Sequence, residues 1–209
     1  FSSRRRNTRF EPKSRGLGDV YKRQTQPNVY LTTHSELFQP GQRVLVIGDG
    51  EGRNGVWLAE QGLHVTSVDY SATGLAKAQA MARNRNVSLI TYCVDLAEWQ
   101  WPENEFDYVV IIYVHFPPEV RAQLHQAALH ALKPGGEVIL EAFTFEQLEH
   151  DSGGPPVREM LYDAELLARD FHEGELLELT ECSDVLNEGK YHVGQAALVR
   201  ARIRRLPTK

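Results

Sequence analysis

The chain has 209 residues and a net charge of −5, with 42% hydrophobic residues and two cysteines, Cys93 and Cys182. Neither cysteine belongs to a CxxC pair, so no disulfide framework and no metal centre is indicated, and no apolar run approaches the roughly 20 residues needed to span a bilayer. Residues 1–24 carry eight basic residues against two acids, leaving the body at 15 against 26, a net −11 that gives it little reason to approach nucleic acid.

Residues 1–24 have almost no apolar periodicity. The pieces SSRRRNTR and GDVYKRQ resemble translated sequencing-adapter DNA, so this leader is expected to be non-native and to contribute no core face. Residues 25–209 suit a single domain of ordinary size. With reduced cysteines and no membrane span, a cytoplasmic setting is expected.

From residue 28 onward strands and helices alternate. Asn28 is placed to cap a short helix, VYLTTHSELF, before the break at Gln39-Pro40-Gly41. Arg43–Ile47 reads as a first strand, and residues 54–61 as a helix stopped by Gly62. Residues 64–68 form the second strand, and Ser71 caps an Ala-rich helix to about Arg85. The third strand is expected at 87–94, before Asp95. The fourth, at 108–114, has five β-branched residues of seven and no charge, as suits a strand buried on both faces. Pro117-Pro118 opens a helix to Leu132, Lys133-Pro134-Gly135-Gly136 breaks it, and residues 137–142 form the fifth strand. A polar stretch at 149–157 then precedes a helix near 163–171. Two strand-like runs at 175–186 and 195–204, separated by residues 187–194 with Gly189 and Gly194, signal a hairpin. The fold class is therefore α/β. A Rossmann-like, doubly wound and mostly parallel sheet ends in an antiparallel C-terminal hairpin, with helices on both faces.

The chemistry concentrates where the first strand ends. Gly48, Gly50 and Gly52 alternate through a turn that delivers free N–H groups at a helix N-terminus. Asp69 follows 21 residues after Gly48, about where a βαβ unit places a carboxylate against a ribose diol. Residues 50–55 also satisfy GxGxxG, so a nicotinamide enzyme is one reading. Three features oppose it: the glycines start earlier, at Gly48; the third strand ends at Asp95-Leu96, a natural place to read an adenine edge; and the chain ends in a hairpin.

Those features carry a family resemblance. From about Thr25 to Arg205 the chain resembles class I S-adenosylmethionine-dependent methyltransferases. Within them it is similar to the small bacterial tellurite-resistance and thiopurine-methyltransferase-like group. The residues that match are VLVIGDGEGRNGVWLAEQGLHVTSVDYS, CVDL, LKPGG and GKYHVG. The resemblance implies S-adenosylmethionine as cofactor. Gly48, Gly50 and Gly52 would pass under its methionine and ribose, and Arg53 and Asn54 would help hold the methionine end. Asp69 would bind the ribose hydroxyls with Tyr70 beside the adenine. Asp95 would accept from the adenine amine, and the Leu96 N–H would face a ring nitrogen. One departure is Val46, where the class often has an acid, leaving Asp49 or Glu51 to supply any contact that acid supports.

His125 and His130 lie five apart on the helix after Pro117-Pro118, off metal-pair spacing, and are expected at the surface or core edge. His115 follows the fourth strand on the cofactor side, and His192 sits in the hairpin that closes over that side in the resembling enzymes. These two are the candidate catalytic groups, since imidazole titrates near neutrality. The expected acceptor is a small molecule, a thiol or a selenium or tellurium species, and the chain is expected to act as a monomer or homodimer. The loop at 146–157 is expected to border the acceptor pocket. A non-catalytic cofactor-binding role on the same fold is the other alternative.

Overall fold

Apolar runs flanked by turn residues assemble into one seven-stranded sheet in a computed structural model that describes residues 25–188 and 192–207. The strands are β1 (Arg43–Ile47), β2 (His64–Asp69), β3 (Ile90–Cys93), β4 (Phe106–Ile112), β5 (Leu132–Phe143), β6 (Gly174–Glu188) and β7 (His192–Arg205), in the order β3-β2-β1-β4-β5-β7-β6. The helices are α1 (Val29–Thr33), α2 (Arg53–Glu60), α3 (Ala72–Asn84), α4 (Pro118–Ala131) and α5 (Ala164–Asp170). The leader call, on residues 1–24, lies outside the described residues.

Strands β1 to β5 are mutually parallel, and β7 runs antiparallel to both β5 and β6. The C-terminal hairpin is therefore present, but its second arm inserts between β5 and β6, leaving β6 parallel to β5 at the sheet edge. One face packs Leu45, Ile47, Val109, Ile111 and Leu140 against α4 and α5, where Leu124, Leu129, Leu167 and Phe171 are buried. The other packs Val44, Val46, Val110 and Ile139 against Leu31 of α1 and Leu58 of α2.

Several boundaries differ from the sequence expectation, the clearest for backbone reasons. Strand three starts at Ile90 because Asn86 adopts φ 57° and Val87 N–H returns to Ala82 C=O at 3.0 Å, ending α3 in a left-handed cap. Strand four ends at Ile112 because Tyr113 turns to φ 56°. The LKPGG segment does not end before strand five. It bulges within β5, whose register against β4 shifts between Phe106 and Tyr108. Asn28 caps α1 as expected, accepting from Leu31 N–H, but α1 stops at Thr33 and a 3-10 turn covers Ser35–Leu37.

Candidate functional site

The carboxyl ends of β1 to β4 converge where an open parallel sheet takes its ligand. Gly48, Gly50 and Gly52 all have positive φ. A Cβ on Gly48 would lie 2.5 Å from Val114 Cγ2, and one on Gly52 would lie 2.5 Å from Ala78 Cβ, so the loop sits hard against its neighbours. Gly48 N–H donates to Val68 C=O at 2.8 Å. The Asp69 carboxylate accepts from Gly50 N–H and from Ser71 N–H, both at 2.7 Å.

Asp49 turns inward. It is buried and accepts from Gly55 N–H at 3.1 Å and from the Ser67 hydroxyl, pinning the loop to α2 and β2 from below. Burial raises its pKa above the usual carboxylate range. Glu51 points to solvent and pairs with Lys77 at 2.5 Å. Neither acid therefore stands in, on the ligand side, for the acid that Val46 replaces.

A cavity of about 460 Å³ opens beside the loop, within the usual range for small-ligand sites. Gly48, Asp69, Tyr70, Asp95 and Leu96, five of the nine expected cofactor residues, line it. Its far wall is apolar and was not foreseen: Val114, Phe116, Val120 and Leu124 come from the β4–α4 connection and α4. Asp95 is fixed by Ala97 N–H at 2.9 Å, and Leu96 by its carbonyl accepting from Trp101 Nε1–H at 2.9 Å. Tyr70 is 80% exposed at the rim.

Arg53 is directed elsewhere. Its Nη1 lies 2.8 Å from Glu188 Oε2, and its guanidinium sits 5.7 Å above the Tyr113 ring. Glu188 also accepts from Val29 N–H at 2.8 Å and from Asn28 Nδ2. Asn28, fully buried, donates as well to Glu141 at 2.6 Å, and Glu141 accepts from Arg200 Nε at 2.5 Å. This polar cluster ties α1, α2, β5 and β6 together. Glu141 had a readable signal, an acid inside the apolar run VILEAF. Glu188 had none, because the partners that select it are brought in by the fold.

His115, expected as a candidate catalytic group, is engaged by backbone in the structure. Its Nδ1 is 2.7 Å from Met160 C=O, and its Nε2 accepts from Phe143 N–H at 3.2 Å. Both ring nitrogens are taken by backbone, and burial pushes the imidazole pKa down to about 4. His115 is thus a brace between the β4–α4 connection and β5. His192 stands 4.4 Å from the Tyr113 ring, and burial, with Arg53 nearby, lowers its pKa to about 4. His125 is not at the surface or core edge. It is fully buried, with Nδ1 2.8 Å from Asp170 Oδ2 and its ring stacked on Phe171.

Residues 44–136 match the family described as a methyltransferase domain. Over these residues the chain is similar to methyltransferase domains. Among curated relatives, the chain is 34% identical over 110 residues to phosphoethanolamine N-methyltransferase 2 of Caenorhabditis elegans, covering 51% of this chain and 25% of that one. It is 31% identical over 121 residues to probable thiol methyltransferase 2 of Arabidopsis thaliana, covering 56% and 52%. The chain thus spans from a quarter to about half the length of these relatives. Among solved structures, TehB from Haemophilus influenzae superposes with a TM-score of 0.68 at 20% identity, over 84% of this chain and 61% of that one. A methyltransferase from Methanosarcina mazei gives 0.68 at 18%, over 86% and 100%. These two likenesses establish the fold.

Proposed function

We propose that this methyltransferase domain, acting as a single unit over residues 25–209, transfers a methyl group from S-adenosylmethionine to a small soft nucleophile. The observation that carries this reading is the cavity at the strand ends. It sets a fixed carboxylate, Asp69, and a second acid, Asp95, around an apolar wall beside a glycine loop. The residues fit the cofactor. Asp69 keeps lone pairs free for two ribose hydroxyls, and Tyr70 and Leu96 flank a flat heterocycle. Asp95 accepts from an exocyclic amine, and Gly48, Gly50 and Gly52 leave room for the ribose and methionine. Arg53 reaches a methionine carboxylate only by leaving Glu188.

When bound, the sulfonium supplies an activated methyl group for in-line displacement. The protein's task is then alignment and exclusion of water, worth up to roughly 7–11 kcal/mol of the barrier. Among the described residues, no strong base faces this end of the sheet. His115 is closed off, His192 is a weak base, and the Tyr113 hydroxyl is held protonated by burial beside Glu141 and Glu188. That favours an acceptor nucleophilic in its own right, such as a thiol or a reduced selenium or tellurium species. The similarity to a probable thiol methyltransferase supports the same reading. We further propose a cytoplasmic, monomeric or homodimeric enzyme, and the acidic body gives it little reason to approach nucleic acid.

Calorimetry tests the cofactor, and transfer of a radiolabelled methyl group tests catalysis. Micromolar binding of S-adenosylmethionine, with NAD ignored, and label appearing in a thiol are expected. Binding of NAD alone would overturn the proposal, and cofactor binding without transfer to any acceptor would make the chain a binder.

A further inference from the structure

Two independent features meet at the start of β7, outside the cavity. The first is backbone strain: Tyr113 has φ 56°, a conformation uncommon for a bulky residue and concentrated at functional sites. The turn aims the Tyr113 ring between Phe143, stacked at 4.8 Å, and His192 at 4.4 Å. The second is an orphaned polar atom. Among the described residues, Nδ1 of His192 is shielded from solvent and has no hydrogen-bond partner. With the ring proton on Nε2, Nδ1 presents a bare lone pair. Leaving such a group unpaired is costly, so an arrangement that keeps it so close to a strained residue points to a ligand.

Position supports this. Because β7 is antiparallel, its first residue lies at the same edge as the carboxyl ends of β4 and β5. Val114, next to Tyr113, lines the cavity and abuts Gly48. Other buried unpaired atoms, such as His125 Nε2, lie behind that wall among Phe116, Tyr162 and Phe171.

We propose that Tyr113, Phe143 and His192 form the acceptor pocket, and that Nδ1 of His192 accepts a hydrogen bond from the protonated nucleophile, an S–H or N–H group. The proposal rests on the methyl-transfer reading above. For a thiol, a sulfur lone pair forms the bond to the methyl carbon as the methyl–sulfonium bond breaks. The S–H proton, made strongly acidic by that step, passes to Nδ1 and on to water. A weak base suffices for so acidic a proton.

The test compares two soft acceptors: 2-mercaptoethanol, which carries S–H at pH 6.5, and iodide, which carries no hydrogen. His192→Phe keeps the ring packing and removes Nδ1. It is expected to raise KM for the thiol about three- to tenfold and leave iodide unchanged. His192→Asn, which offers an amide oxygen, should recover part of the loss. Cofactor affinity, read by calorimetry, should be the same in all three proteins. Equal effects on both acceptors, or none on either, would overturn the proposal and leave Nδ1 as a site for an ordered water. A wild-type chain that binds cofactor yet methylates neither acceptor would overturn the methyl-transfer reading itself.

Discussion

Gly50 N–H and the Asp69 carboxylate are 2.7 Å apart, so the glycine loop after β1 and the acid at the end of β2 form one rigid unit. The acid does two jobs: it braces the loop and presents oxygens to the cavity. Asp69→Ala should therefore weaken cofactor binding by about 1.5–3 kcal/mol, the scale of hydrogen bonds to a charged group. It should also lower Tm modestly, because Gly50 and Ser71 N–H groups lose their acceptor. Calorimetry beside thermal unfolding checks both, and full affinity in a folded variant would remove Asp69 from the site.

The loop's tightness gives a second expectation. Gly50 has open space where a Cβ would go, whereas at Gly52 a Cβ would collide with Ala78 on α3. Gly50→Ala should cost only its left-handed backbone, about 1 kcal/mol. Gly52→Ala should cost clearly more, with strain of order 1–3 kcal/mol compounded by the displacement of α3. Adding Ala78→Gly should recover only part of the collision, since the Ala78 Cα would still lie 2.8 Å from the added Cβ, and none of the strain. Denaturant midpoints of the three variants resolve the two contributions.

His115 yields a pH expectation. Its folded pKa, about 4, lies below the ordinary histidine value, so protonation favours the unfolded chain. The stability it contributes is fully present above about pH 6.5 and is lost as pH falls toward 4. His192 acts in the same direction. His115→Gln, able to donate to Met160 and accept from Phe143, should flatten the decline of Tm between pH 7 and pH 5. His115→Ala should lose about 1–3 kcal/mol at pH 7 by leaving both backbone groups unpaired, with kcat largely kept in the folded fraction.

The order of strands, the glycine loop and the two strand-end acids were legible because each depends on local pattern: apolar runs, turn residues and spacing. What was not legible depends on partners far apart in sequence. Phe116 and Leu124 become a cavity wall only when α4 packs beside Asp95. Arg53 looked free for a carboxylate until the fold brought Glu188, 135 residues away, against it. His115 looked like a base because sequence shows its place after β4 but not the Met160 and Phe143 backbone that engages its ring. The insertion of β7 between β5 and β6 is likewise a matter of long-range pairing that a hairpin signal does not determine.

The last expectation concerns Asn28, read from sequence only as a helix cap. Its side chain accepts from Leu31 N–H at 2.8 Å and donates to Glu141 and Glu188, while its own N–H donates to Asn54 Oδ1 at 2.9 Å. Both glutamates are almost wholly buried and each also meets an arginine, Arg200 or Arg53. Asn28→Ala removes the cap, worth about 1 kcal/mol, and also strips a donor from two buried carboxylates. The sum should reach about 2–4 kcal/mol, well beyond a surface cap. Asn28→Asp keeps the cap but places a third negative charge against Glu141 and Glu188, so it should be at least as damaging above pH 5 and recover as the pH falls and carboxylates take up protons. Urea unfolding of both variants at pH 7.5 and pH 5 distinguishes the contributions. A loss near 1 kcal/mol for Asn28→Ala, with Asn28→Asp neutral at pH 7.5, would reduce Asn28 to a cap and leave α1 without its tie to the last hairpin.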